Sequence, residues 1–276
     1  MFDRARIENL LPNIGDAEVA HYTRIGTLCH FIPSGSHEWV SAWATPVQFL
    51  NDRMELALGL EVLKEVSNQP PISGKVVRAI IDQLLTTSGR LETDAYQMSF
   101  SGNADELGQW RGYASNGMGC AVVTSALAVQ KVADIAGWVV YSPKNQRAFA
   151  YKILNDLRRE KDRIVIEKML IAAACYMKHD GFRPEKEFRM IVFPDSGSIK
   201  FREAGDRLVP YVDYLDDKKS LRVNRIVIGP GWQLAGLPAE DLMKHHVVQG
   251  IHRLLSARGL DAIVSIQSSS IPYDPK

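Results

Sequence analysis

Three short stretches carry side chains that could do chemistry together: His21-Tyr22-Thr23, Gln109-Trp110-Arg111-Gly112-Tyr113 and Glu185-Lys186-Glu187-Phe188-Arg189. The first reads as the end of a strand and the start of a helix. At such a junction, free backbone N–H groups can meet an anion such as a pyrophosphate. A neutral His can bond a ribose hydroxyl, Tyr can stack, and Thr can cap the helix. The plain alternative makes Thr23 an ordinary N-cap and His21 a satisfied core group. In the second stretch, Trp, Arg and Tyr are residue types enriched at binding hot spots. An Arg such as Arg111 can clamp phosphate or carboxylate through paired hydrogen bonds. The alternative places Trp110 and Tyr113 in the core and Arg111 in a structural salt bridge. In the third, strand alternation sets Glu185, Glu187 and Arg189 on one face and Phe188, Met190 and Val192 on the other. Two carboxylates beside a guanidinium can tune each other's protonation and contact hydroxyls. The alternative is a solvated strand face with cross-strand pairs.

Other chemistries find less support. The sequence holds no G-x-G-x-x-G after a strand, no Walker A loop, no H-E-x-x-H and no G-x-S-x-G elbow. His245 and His246 are adjacent on an expected helix, so they point apart, and His252 lies two turns beyond His245. No third ligand is placed to join them, and no metal is expected. Cys29, Cys120 and Cys175 are odd in number and widely spaced, which argues against a disulfide framework. Each has apolar neighbours and reads as a buried small hydrophobe. The acidic residues show no convergent cluster of the kind a Mg²⁺-dependent nuclease needs.

The elements that must position these residues are those of an α+β protein. Short strands are expected at 18–22, 39–44, 95–100, 118–123, 138–141, 187–193, 207–214, 221–228 and 262–266. Helices are expected at 24–31, 54–66, 74–85, 104–113 and 238–257. Asp52 would cap the second of these and Asn103 the fourth. The longest helical region spans 145–177, with Ile153, Leu157 and Ile164 on one face and a break near Glu160. The order is not a clean βαβ alternation, so mixed, mainly antiparallel sheets are expected. We expect one domain over 1–276, with a helical insert around 54–86.

The 276-residue chain is 46% apolar and 24% charged, which suits a well-buried core. A net charge of +1 offers no global field toward nucleic acid or an anionic membrane. Met1–Asp16 lacks the apolar core of a signal peptide, and no apolar run is long enough to span a bilayer. The expected location is the cytoplasm.

Read in order, the motifs resemble a widespread, uncharacterised bacterial family. They are His21-Tyr22-Thr23, Trp43-Ala44-Thr45, Phe49-Leu50-Asn51-Asp52, Ser99-Phe100-Ser101, Gln109–Tyr113, Gly117-Met118-Gly119, Glu185–Arg189, Ile228-Gly229-Pro230, and Ser270 with Tyr273. Two positions depart from that pattern: Arg53 stands where Pro is usual, and Asp274 where a basic residue is usual. The order of a His-x-Thr strand end, an aromatic strand and a late Glu-bearing strand also resembles ADP-ribosyltransferases. That resemblance implies an ADP-ribosyltransferase-like fold with NAD as substrate. It implies that His21 and Thr23 hold the adenosine ribose, that Glu187 is catalytic and that Glu185 is an auxiliary carboxylate. Trp43, Trp110 and Tyr113 compete to pack the nicotinamide, and Arg111 suits the pyrophosphate. The implied acceptor is a protein, a nucleic acid or water, in the setting of a bacterial toxin or phage-defence effector. The alternative is a non-catalytic nucleotide- or nucleic-acid-binding module within a multi-protein defence system.

Overall fold

The computed structural model describes residues 5–32, 43–49, 54–69, 74–87, 94–204, 206–213, 221–232 and 238–273. In chain order its elements begin with α1 (Ala5–Glu8), β1 (Glu18–Thr23), α2 (Leu28–Phe31), β2 (Trp43–Pro46), α3 (Met54–Ser67) and α4 (Lys75–Thr87). Then come β3 (Tyr96–Ser101), α5 (Leu107–Tyr113), β4 (Cys120–Ser125), α6 (Ala126–Val132), β5 (Ile135–Trp138), α7 (Pro143–Leu157) and α8 (Arg163–Cys175). The last are β6 (Glu187–Val192), β7 (Ile199–Ala204), β8 (Arg207–Asp213), β9 (Val223–Ile228), α9 (Pro238–Ser256) and β10 (Ser265–Ser268). The protein is mixed α+β with mostly antiparallel strand pairing, as the element order predicts.

The chain divides into two compact units, and the dividing point at Met98/Ser99 falls inside β3. The first unit comprises Met1–Ile14, Trp43–Met98 and Ala133–Asp213. Its core is helical. Every residue from Val165 to Cys175 is buried except Glu167 and Lys168, as expected of a helix surrounded by protein. α3 lies against α8 closely enough that a Cβ on Gly59 would come within 2.4 Å of the Ala174 carbonyl oxygen. The expected long helical region is indeed two helices. Ser142 caps α7 with Pro143 in its first turn, and Asp162 caps α8 by accepting from the N–H groups of Ile164 and Val165. Ile153 and Leu157 are buried as expected, but Ile164 is exposed because α8 restarts the helical phase after the break. In this unit β2 pairs antiparallel with both β3 and β8, β7 with β8, and β5 with β6.

The second unit comprises Gly15–Ala42, Ser99–Val132 and Tyr214–Lys276. β1 pairs antiparallel with β3 and β4, β4 antiparallel with β9, and β9 parallel with β10. Ala20, Tyr22, Trp110, Ala114, Ala121, Val123 and Val227 form a buried cluster around these strands. The turn into β4 runs through three left-handed residues, Ser115 (φ 50), Asn116 (φ 53) and Gly117 (φ 88). Here glycine is needed twice over, since a Cβ on Gly119 would sit 2.2 Å from the Thr23 carbonyl oxygen.

Several expectations need correction. Glu106, not Asn103, caps α5, accepting from the Gln109 N–H, while Asn103 Oδ1 accepts from the Asp105 N–H one turn earlier. The strand expected at 138–141 is β5, at Ile135–Trp138. β7 and α6 fall outside the expected elements, although Ile199-Lys200-Phe201-Arg202 alternates apolar with charged residues and so carries a period-two signal. Residues 39–42 of the expected second strand, and Asp52 as a cap, lie outside the described residues.

Candidate functional site

The first unit holds a buried ionic cluster built on Glu187. Its positioning begins after α8, where the chain runs alongside Val140 and the Lys178 N–H donates to the Val140 carbonyl at 3.3 Å. The Gln146 side-chain amide donates to the carbonyls of both Lys178 (2.8 Å) and Val140 (2.9 Å), fixing the two segments together. A 3-10 turn over Asp180–Glu185 follows, and Lys186 adopts the left-handed conformation at φ 43. β6 then starts at Glu187, whose N–H donates to the Tyr141 hydroxyl at 2.8 Å.

From these anchors the side chains converge. Glu187 Oε1 accepts from Arg189 Nε at 2.8 Å, and Glu187 Oε2 accepts from Arg189 Nη2 at 2.8 Å and from Lys178 Nζ at 3.0 Å. Lys178 Nζ also donates to Glu185 Oε2 at 2.6 Å. Arg189 Nη1 donates to the Cys175 carbonyl. The Tyr176 hydroxyl lies 3.1 Å from the carbonyls of both Ile135 and Arg189. The Lys178 ammonium sits 4.8 Å from the centre of the Phe182 ring. Arg189, Lys178 and Glu187 are buried, at 1%, 5% and 7% exposure, while the Glu185 side chain is 22% exposed. Burial, with the Glu187 carboxylate beside it, pushes the Tyr141 hydroxyl up to about 12. Buried charges survive only when paired and hydrogen-bonded. Among the described residues, the carboxylates of Glu185 and Glu187 face the Lys178 ammonium and the Arg189 guanidinium.

This geometry corrects the expected strand face. Glu187 and Arg189 do share a face of β6, as alternation requires. Glu185 is not on that face: it ends the 3-10 turn, and the left-handed Lys186 breaks the alternation. Nor is β6 half-solvated, since every residue from Glu187 to Val192 is buried. Glu185 rejoins Glu187 only through Lys178. Lys178, Tyr141 and Gln146 escape sequence reading because no periodicity links them to Glu187. Trp43, the other expected site residue of this unit, lies on β2 and is half-buried, its ring centre 4.7 Å from that of Tyr211.

In the second unit, His21, Tyr22 and Thr23 lie on β1. His21 Nδ1 lies 2.9 Å from the Ser99 carbonyl, so this nitrogen carries the proton and Nε2 is an acceptor. Its ring packs on Phe31 and Phe100 at 5.3 and 5.8 Å. Burial lowers the His21 pKa, and the Ser99 bond only partly offsets this. Tyr22 is a scaffold residue. Its hydroxyl donates to the Asn103 carbonyl at 2.8 Å and accepts from the Glu106 N–H at 3.0 Å. Its ring meets Trp110 edge-on at 4.7 Å. Thr23 is no cap: the 3-10 turn that follows, Ile25–Thr27, starts after Arg24 and has no side-chain cap bond. That turn and the four-residue α2 are too short to form the anion-binding helix end expected there.

The Gln109–Tyr113 stretch divides by burial. Trp110 is fully buried and donates Nε1–H to Asp105 Oδ1 at 2.8 Å. Gln109 is buried beside it, while Arg111 and Tyr113 are exposed. Asp105 gathers the C-terminal segment, accepting from Ser269 Oγ (2.5 Å), Ser270 N (2.7 Å) and Ser270 Oγ (2.8 Å). Burial would raise the Asp105 pKa, but these bonds and the Trp110 bond together hold it below the usual value. Trp110 is therefore committed to the fold.

Fold and site define a mixed α+β protein with a buried Lys–Glu–Arg cluster. Within that class, the family model described as "Protein of unknown function (DUF2971)" matches residues 109–190. The match runs from Gln109 to Met190 and so takes in α5 from its third residue, with Tyr141, Lys178, Glu185, Glu187 and Arg189. No curated protein and no solved structure matches the chain. Among the described residues, no helix is long and apolar enough to cross a membrane.

Proposed function

We propose that the protein is an NAD-using enzyme of ADP-ribosyltransferase type whose carboxylates are Glu185 and Glu187. The observation that carries this reading is the meeting of both at Lys178 Nζ, at 2.6 and 3.0 Å, in a cluster otherwise shut off from water. Loss of nicotinamide breaks the bond between the ribose anomeric carbon and the pyridinium nitrogen. The bond electrons leave with nicotinamide, and positive charge develops on the sugar. An acceptor oxygen then bonds that carbon and gives up its proton. A fixed, ionised carboxylate bonded to a ribose hydroxyl stabilises the developing charge, an effect worth roughly 3–4 kcal/mol for one such contact.

The roles we assign reverse the expected order. Glu187 is held on both oxygens by Arg189 and Lys178, so it acts as a positioning residue. Glu185, the most exposed member, meets the ribose. Incubation with NAD labelled in the nicotinamide tests this, using Glu185→Gln and Glu187→Gln variants alongside the wild type. Absence of both NAD binding and nicotinamide release by the wild type, with any cellular fraction as acceptor, would end the proposal.

A second reading is a non-catalytic nucleotide-binding module. It is favoured by the same internal capture of Glu187, which a purely structural ion pair explains equally well. In that case nucleotide binding survives both Gln substitutions, no nicotinamide is released, and binding weakens on His21→Ala or Arg111→Ala.

A further inference from the structure

One face of the three strands β7, β8 and β2 in the first unit carries aromatic rings and cations together. Alternation along β7 places Lys200 and Arg202 on one face. The pairings Lys200↔Tyr211, Arg202↔Val209 and Ala204↔Arg207 put Tyr211 and Arg207 on that face, and Trp43↔Asp213 adds those two residues. The contacts agree. The rings of Trp43 and Tyr211 lie 4.7 Å apart at 39°, and the Arg202 guanidinium carbon is 5.9 Å from the centre of the Trp43 ring. Trp43, Tyr211 and Arg202 are half-buried, and Lys200 is 57% exposed. Arg202 Nε is shielded from water with no hydrogen-bond partner among the described residues. Lys200 meets Asp213 only at 3.5 Å.

We infer that this face binds single-stranded nucleic acid, stacking bases on Trp43 and Tyr211 and setting phosphates on Lys200, Arg202 and Arg207. Among the described residues of this face, three cations stand against the carboxylate of Asp213, which complements a polyanion. Lys200 and Arg202 are two residues apart along β7, about 7 Å, so they address successive phosphates rather than one. Aromatic rings supply affinity for bases without sequence preference. The opposite face of the same strands, which presents Phe201 and Leu208 to solvent at 60% and 67% exposure, has no such cations in register with its rings. The inference uses neither carboxylate of the NAD reading.

Fluorescence anisotropy of the full chain with a labelled single-stranded oligonucleotide of about 12 nucleotides tests it, a length within the usual site size. The expected result is saturable binding that Tyr211→Ala weakens about tenfold or more, as loss of one stacked base would. Tyr211→Phe, which keeps the ring, restores affinity and controls for folding. Lys200→Ala lowers the slope of log affinity against log salt by about 0.7. The inference is overturned by absence of binding at low salt, by equal affinity for duplex, by equal affinity for AMP, or by an unchanged affinity in Tyr211→Ala.

Discussion

Arg189 grips Glu187 with two parallel hydrogen bonds of 2.8 Å each, two residues apart on one buried strand. Arg189→Met leaves the Glu187 carboxylate buried with Lys178 as its remaining described cation. Breaking a buried pair from one side costs about 3–5 kcal/mol. Urea unfolding should show a loss of that size. The double variant Arg189→Met/Glu187→Met should recover much of it, because it removes the stranded charge as well. Equal losses in the single and double variants would refute a net ionic role for the pair.

Gly59 tests the packing of α3 on α8. Alanine is the better helix former by about 1 kcal/mol, so Gly59→Ala would stabilise an isolated α3. In the protein, its Cβ would come within 2.4 Å of backbone at Ala174, and forcing backbone apart in a packed core costs about 1–3 kcal/mol. The expected net change in thermal unfolding is a lower melting temperature.

Asp105 joins Trp110 to the C-terminal segment. Its pKa is held below the ordinary 3.8, so it contributes stability that is present above that value. This contribution is lost as pH falls through 3.8 toward the lower folded value. Asp105→Ala strips four hydrogen bonds from one carboxylate and leaves the buried Trp110 indole N–H unpaired. The expected cost at neutral pH is about 2–3 kcal/mol, and the difference from wild type should shrink below pH 4. Denaturant melts at neutral and acid pH read both effects.

His21 acts in a higher pH window but in the same direction. Its folded pKa lies below the ordinary 6.5, so its neutral form is the one the fold accommodates. The corresponding stability is complete above 6.5 and is lost as pH falls through the lowered value. Imidazole NMR titration should place the midpoint below 6.5, and a midpoint at or above it would contradict the dominance of desolvation over the Ser99 bond, which acts in the opposite direction.

What could be read from the sequence follows from what is local. The α+β class, the mainly antiparallel pairing and the broken 145–177 helix all rest on short-range patterning and caps. Ser142-Pro143 and Asp162 carry their signal within a turn or two. Glu187 and Arg189 are likewise paired by strand alternation alone. Glu185 was misplaced because the left-handed turn at Lys186 is invisible to a period-two pattern. Thr23 was misread because a β-strand end before a 3-10 turn looks like one before an α-helix. Lys178 was missed because it joins the carboxylates through a non-repeating turn. The core alternative for the Gln109–Tyr113 stretch holds for Trp110, which is fully buried against Tyr22 and Asp105, but not for Tyr113, which is exposed.

The account turns on whether Glu185 and Glu187 act on NAD. The most direct measurement is nicotinamide release from labelled NAD by the wild type, Glu185→Gln and Glu187→Gln, each first checked for native melting. The account predicts release by the wild type and a fall of about 10²–10³-fold for Glu185→Gln, the usual effect of losing one transition-state contact. Release by Glu185→Gln at the wild-type rate, or none from any form, would contradict it.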